Sequence, residues 1–150
     1  MLLSSGLKTQ NFKNHAQIVP LFHFVLSGLI LAGFIGSIVN LVHSIGDHQR
    51  IYSASLIVVL ETVAVLMFWF CRNFPLKAQD RAIRAEENLR HYVLTGKLLD
   101  PRITVRQVIG LRFASDDEFV ALANRAAEQG LSETDIKKAV KNWRPDYYRV

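Results

Sequence analysis

Two apolar stretches decide the fold: LFHFVLSGLILAGFIGSIVNLVHSI at residues 21–45 and IYSASLIVVLETVAVLMFWFC at residues 51–71. The first stretch contains no Asp, Glu, Lys or Arg, and the second contains only Glu61. A helix needs about 20 residues to cross the roughly 30 Å hydrocarbon core of a membrane. Both stretches are long enough, so the sequence predicts two transmembrane helices, 21–45 and 51–71, joined by a short outer loop at 46–50.

Basic residues flank this pair of helices and predict its orientation. Lys8 and Lys13 precede the first stretch without any acidic residue, and Arg72 with other basic residues follows the second. Short segments rich in Lys and Arg remain on the cytoplasmic side. We therefore expect the N-terminal segment 1–20 and the region after residue 71 to be cytoplasmic, and the loop to lie outside.

The net charge of +5 points to an acidic partner. Residues 72–150 hold 15 Lys and Arg against 11 Asp and Glu. Beside a membrane helix, such an excess favours contact with the anionic lipid of the inner leaflet. It is too mild to predict binding to nucleic acid. Cys71 is the single cysteine, which excludes an intrachain disulfide.

The segment 72–99 has the pattern of a basic juxtamembrane helix. Pro75 suits a first helical position and Gly96 a C-terminal stop, although Pro75 leaves open whether this helix continues the second span. At helical spacing, one apolar face carries Ala82, Ala85, Leu89, Tyr92 and Val93. A second face carries a basic stripe that we expect to face lipid, formed by Lys77, Arg81 and Arg84.

Capping signals divide residues 100–150 into three short helices. Thr104 and Gln107 form the pattern of a capping box, and Ser115 and Ser132 open the next two helices. The third is expected to extend through Trp143 and to end at Arg144-Pro145. The predicted fold is therefore all-α: a two-helix transmembrane hairpin, then a juxtamembrane helix and a small cytoplasmic bundle of three short helices.

Four segments of the sequence carry a resemblance to a known family: NHA at 14–16, LKAQDR at 76–81, RFASD at 112–116 and WRPDYYRV at 143–150. They resemble a bacterial family of uncharacterised two-span membrane proteins, the domain of unknown function 6526. The resemblance covers essentially the whole chain. It implies a bacterial inner-membrane protein with this layout, and it brings no activity, cofactor or catalytic residue.

Glu61 is the most informative polar residue, because it lies near the middle of the second span. A charge at that depth costs about 2.5–3.5 kcal/mol on insertion scales. Counting back antiparallel from the loop places it opposite residues 33–37. Three roles stay open: a protonated carboxyl hydrogen-bonded at a helix interface, a carboxylate that handles protons or cations, or a contact with a ligand or partner.

The first span carries a small residue at every fourth position, a pattern typical of helix-packing faces. Its partner is the second span, another copy of the chain, or another subunit. We call this set the small-residue stripe: Gly28, Ala32, Gly36 and Asn40.

No pattern in the sequence predicts a catalytic, cofactor or metal site. His43, Asp47 and His48 cluster at the loop, but three candidates are a weak metal signal. Aromatic residues near the C-terminus are candidate partner anchors: Trp143, Tyr147 and Tyr148.

The expected function is a non-enzymatic accessory or scaffold subunit of an inner-membrane complex. The alternative is a small oligomeric proton or cation conduit that uses Glu61, and a membrane-bound enzyme is third. The expected partners are anionic lipid and either further copies of the chain or a larger membrane protein, with no small-molecule substrate identified.

Overall fold

The computed structural model describes residues 9–147, which form two compact units. Residues 18–75 make up the hairpin unit, and residues 9–17 together with 76–147 make up the tail unit. The predicted all-α class is confirmed: the described residues form five helices and no strand.

The hairpin unit contains the first helix, α1 (Leu21–His43), and the start of α2. Leu21–Leu26 is wound as a π-helix, and Ser27–His43 is α-helical. Both helices are long and apolar enough to cross a membrane, and only 6% of the most apolar window of each is buried. A core helix of a soluble protein would be mostly covered, whereas these side chains face outward.

A tight turn connects the two helices. Gly46 takes a positive φ of 91°, which a side chain would strain. Asp47 follows, and its Oδ1 accepts hydrogen bonds from the backbone N–H groups of Gln49 (3.0 Å) and Arg50 (3.3 Å). The Arg50 guanidinium also pairs with this carboxylate. That side-chain contact, followed by the Gln49 N–H, holds the pKa of Asp47 below its usual value.

The second helix, α2 (Ile51–Thr95), is 45 residues long, or about 68 Å. Pro75 lies inside it, so the second apolar stretch and the segment 72–99 form one helix, a question that the sequence left open. Proline in a helix costs about 3 kcal/mol. Strong helix formers follow it in the sequence LKAQDRAIRAEENLR at 76–90, and they continue the helix. Gly96, with φ of 74°, ends α2 where the sequence predicts a stop.

The tail unit adds three short helices: α3 (Val105–Leu111), α4 (Asp116–Gln129) and α5 (Glu133–Ala139). The capping box between Thr104 and Gln107 is present in full. Ser132 caps α5 by accepting a hydrogen bond from the Asp135 N–H. The sequence therefore located these helix starts correctly.

The end of α5 differs from the prediction, because the helix stops at Ala139 and does not reach Trp143. The Glu118 carboxylate accepts the backbone N–H groups of Lys141 (3.1 Å) and Asn142 (3.0 Å). Trp143 then forms an antiparallel β-bridge with Ala114. These long-range backbone bonds replace those of another helical turn, and local sequence patterns do not reveal them.

One apolar core holds the tail unit together. Gly110 brings α3 close to α5, since a methyl group at Gly110 would lie 3.0 Å from the Glu133 carbonyl oxygen. The core also takes Ile83 from α2 and Leu99 from the segment after it. Its buried members are Ile83, Leu99, Ile103, Val108, Leu111, Ala114, Phe119, Leu122, Ala123, Ala126, Ile136 and Val140.

The N-terminal segment 9–17 packs on this unit. The Gln10 side chain makes two hydrogen bonds to the backbone of Asp146, donating to its carbonyl (3.0 Å) and accepting from its N–H (2.8 Å). The His15 ring lies 5.6 Å from Phe113 and 5.7 Å from Trp143, measured between ring centroids. Residues near the two ends of the described chain are thus tied together.

Candidate functional site

Glu61 lies half-buried on α2 with its carboxylate against Gly33 of α1. A methyl group at Gly33 would stand 2.8 Å from Glu61 Oε1, so glycine makes the space that the carboxylate occupies. Gly33 is within the range that antiparallel counting predicts. Ser37, one turn further on, donates its hydroxyl to the Phe34 carbonyl (2.7 Å). The two helices are therefore close to each other where the Glu61 carboxylate packs against Gly33.

The small-residue stripe points elsewhere. Gly28, Ala32, Gly36 and Asn40 are all exposed, and a methyl group at Gly28 or Gly36 would meet nothing within 4 Å. On α1 the face turned to α2 is instead marked by Gly33 and the buried Ser37. The second span does not cover the stripe, so it remains available to another copy or another subunit.

The basic stripe lies on the tail-unit portion of α2. Lys77 and Arg81 are exposed, and Arg84 is half-buried. Within residues 9–147 no carboxylate forms an ion pair with any of the three. Their charges are available to an external anionic partner.

The face of α2 that packs on the tail core is polar as well as apolar, and the sequence did not identify it. Ile83, Glu87 and His91 recur every four residues and are each at least 93% buried. Glu87 accepts from Arg90 (3.0 Å) and Arg144 (3.4 Å). A buried carboxylate needs such partners, because charge is costly to desolvate.

Arg90 joins this group to two other parts of the tail. Its guanidinium donates to the Ala114 carbonyl (2.7 Å), pairs with Asp116 (2.6 Å) and lies 4.3 Å above the Phe119 ring. His91 Nδ1 donates to the Lys97 carbonyl (2.7 Å), since a carbonyl oxygen can only accept. The polar cluster thus fixes α2 to α4 and to the C-terminal segment.

The apolar face predicted for 72–99 is exposed. Leu89, Tyr92 and Val93 keep 63%, 53% and 74% of their surface accessible. Because successive residues turn by about 100° around the helix axis, the mean direction of these three side chains lies about 150° from that of Ile83 and Glu87. Nothing in the tail unit covers this face.

The candidate partner anchors near the C-terminus differ in exposure. Trp143 is half-buried, with its ring 4.9 Å from that of Phe113. Tyr147 is 36% exposed. Tyr148 lies outside the described residues.

The loop cluster does not form a metal site in the structure. Among residues 9–147, no group of three or more His, Cys, Asp or Glu side chains comes together in a way that could hold a metal ion. His43 Nδ1 instead bonds to the Val39 carbonyl (2.8 Å), and Asp47 is engaged by Arg50.

Residues 7–150 match the model of DUF6526, a family of unknown function. The chain belongs to this family. No curated protein and no solved structure matches it. The match extends over both the hairpin and the tail.

Proposed function

We propose that this protein is a non-enzymatic accessory or scaffold subunit of a bacterial inner-membrane complex. The observation that carries the proposal is the uncovered small-residue stripe on α1. Gly28 and Gly36 leave open space beside the helix, and the chain's own second helix packs against Gly33 instead. A face of this kind lets another transmembrane helix approach closely.

The packing of the N-terminal segment supports a hairpin with both ends on one side. Gln10 bonds to the backbone of Asp146, so residues before α1 and residues after α2 belong to one compact unit. A membrane crossed by both helices would leave this unit on a single side. The Lys and Arg excess in these segments supports the cytoplasmic side.

The basic stripe supports contact with anionic lipid. Lys77 and Arg81 lie six and ten residues after the apolar stretch 51–71 and are exposed. Basic groups near an anionic surface contribute about 1 kcal/mol each. In this function the hairpin binds the larger membrane protein, the basic stripe contacts the inner leaflet, and the tail docks a cytoplasmic partner.

Purification of the full chain in mild detergent tests this function. We expect a defined foreign membrane protein to co-purify with the wild type. Gly36→Leu fills the open space on the stripe and should release that partner while leaving the hairpin intact. Val63→Leu adds bulk at an exposed position of α2 and is the matched control, expected to retain the partner.

Two results contradict the proposal. One is a wild-type preparation that contains only this chain under conditions gentle enough to preserve known membrane complexes. The other is equal recovery of the partner with Gly36→Leu and Val63→Leu, which would place the contact away from the stripe.

The second candidate function is an oligomeric proton or cation conduit. Glu61 favours it, because its carboxylate is only half-buried between two apolar helices. Ionisable side chains at membrane depth are typical of ion pathways. A ring of copies could then line a polar path with this group.

A further inference from the structure

The exposed apolar face of α2 has a regular repeat within the tail unit. Successive members are spaced by four, three, four and three residues, which is the a/d spacing of a coiled coil. All of them are exposed, with Leu89 at 63% and Tyr92 at 53%. We call this set the heptad stripe: Ala78, Ala82, Ala85, Leu89 and Tyr92.

The tail unit leaves the heptad stripe free because its own core uses the other side of α2. Ile83, Glu87 and His91 are buried there. At about 100° per residue, these three lie roughly opposite the centre of the stripe. One helix thus carries two faces, of which the tail unit covers one.

Charges of opposite sign flank the stripe. Arg81 lies on one side, at the position before an a residue, and Glu86 lies on the other side, at the position after a d residue. These are the g and e positions, whose side chains pair between helices and set partner choice and orientation. Both side chains are exposed, and neither forms an ion pair within residues 9–147.

We propose that the heptad stripe pairs in parallel with the same stripe of a second copy of this chain. In a parallel pair, a g residue faces the e residue five positions later on the other helix, so Arg81 meets Glu86 twice across the two-fold axis. In an antiparallel pair g positions face g positions and e positions face e positions, so Arg81 and Glu86 would not meet. The charges therefore select the parallel arrangement.

Insertion into one membrane favours the same arrangement. Two copies that cross with the same topology present α2 in the same direction. Three of the five residues of the heptad stripe are Ala, whose small side chains bury little apolar surface between the two helices. The membrane compensates, because anchored helices meet at a high effective concentration.

A lipid surface is the other conceivable occupant, and the flanks argue against it. A helix that lies on anionic lipid carries Lys and Arg along its polar boundary. Here one boundary has the basic stripe of Lys77, Arg81 and Arg84, but the other has Glu86 and Gln79. In the pair Arg81 contacts Glu86 of the second copy, and Lys77 and Arg84 remain for the inner leaflet. An acidic boundary suits a complementary helix and not an anionic surface. The pairing goes beyond the proposed function, since it concerns copies of this chain and requires no foreign subunit.

The test is crosslinking of the full chain in its native membrane. In a Cys71→Ser background, Leu89→Cys places a thiol on the stripe, and Lys77→Cys places one on an exposed position about 100° away from it. A short bismaleimide should join Leu89→Cys into dimers and leave Lys77→Cys largely monomeric. Equal crosslinking of the two variants would overturn the proposal.

Charge reversal tests the orientation. Arg81→Glu places a carboxylate opposite Glu86 of the second copy. The repulsion between the two negative charges should lower dimer formation by about tenfold. Adding Glu86→Arg exchanges both signs and should restore dimer formation. Failure of the double variant to recover would overturn the parallel pairing, as would contact between Leu89→Cys and lipid, detected as quenching of an attached fluorophore by spin-labelled phospholipid.

Discussion

At the scale of single residues, Glu61 and Gly33 form one unit. The Glu61 carboxylate fills the space that any larger residue at position 33 would take. Glycine at position 33 therefore accounts for where the carboxylate lies, and the carboxylate accounts for the need for glycine. Asp100 and Arg102 form a second local unit, outside the spans. Their side chains bond through Arg102 Nε and Nη2 at 2.7–3.2 Å.

Glu61→Gln separates the two candidate functions. Gln keeps the shape and most of the hydrogen-bonding capacity, so in a scaffold we expect assembly to persist. The protein is reconstituted in liposomes that contain a pH-sensitive dye, and a membrane potential is imposed. A scaffold should give the proton flux of empty vesicles with either side chain.

The control for Glu61→Gln is Glu86→Gln, which removes a carboxylate from the tail unit. A flux present in the wild type, retained by Glu86→Gln and lost in Glu61→Gln would favour the conduit over the scaffold.

Arg102→Ala should raise the pKa of Asp100. The Arg102 side chain, followed by its backbone N–H, lowers that pKa from 3.8 to about 2. Because the pKa is depressed in the folded state, the contact stabilises the fold above pH about 4 and is lost as pH falls toward 2. A carboxyl ¹³C NMR titration should show the midpoint returning toward 3.8 in Arg102→Ala, and an unchanged midpoint would disprove this cause.

At the scale of helices, α3 and α5 depend on Gly110. Its position under the Glu133 carbonyl and the Ile136 side chain lets the two helices approach closely. Neither helix has more than seven residues, so neither would be stable alone. Their stability comes from this packing and from their caps.

Gly110→Ala should destabilise the tail by about 1–3 kcal/mol, because the added methyl meets backbone that cannot move freely. This cost exceeds the gain of less than about 1 kcal/mol that Ala brings to a helix. Urea unfolding followed by circular dichroism measures the change. Asn124→Ala, at an exposed position of α4, is the control and should change stability by no more than about 0.5 kcal/mol.

Sequence patterns located the helices well and their ends less well. Hydrophobic length located both apolar helices, and the caps at Thr104 and Ser132 located the starts of α3 and α5. The sequence left open whether α2 continues through Pro75, because the local cost of proline and the helix formers that follow it act in opposite directions. Trp143 was placed in a helix because its bridge to Ala114 joins residues distant in sequence.

The residues of the candidate sites were predicted with unequal success, because tertiary contacts leave no mark on local sequence. Glu61 stood out because its charge contrasts with apolar neighbours, and spacing placed it opposite Gly33. Glu87 did not stand out, because an acid on a charged helix looks solvated. Its burial arises from tertiary contacts with Arg90 and Arg144.

At the scale of the whole molecule, both units present surfaces that the described chain does not cover. In the hairpin unit these are the small-residue stripe and the apolar surface of the two long helices. In the tail unit they are the basic stripe and the heptad stripe. The proposed functions assign a membrane protein, lipid and a second copy to these surfaces.

The orientation of the molecule is tested by labelling a cysteine in the loop. In a Cys71→Ser background, His48→Cys should react with an impermeant maleimide added to intact cells, because the loop is expected outside. Thr134→Cys, exposed on the tail, should react only after the cells are opened. The reverse pattern would invert the topology.

The tie between Gln10 and Asp146 has a consequence for biosynthesis. The two residues are 136 positions apart, and protein synthesis proceeds at about 5–20 residues per second. Gln10 and His15 therefore wait roughly 7–27 seconds before Asp146 and Trp143 are made. Both hydrophobic helices emerge from the ribosome during that interval. Insertion of these helices into a membrane, as proposed above, would thus begin before the contacts that complete the tail exist, and Gln10 and His15 would reach their final place after the helices that follow them in the sequence.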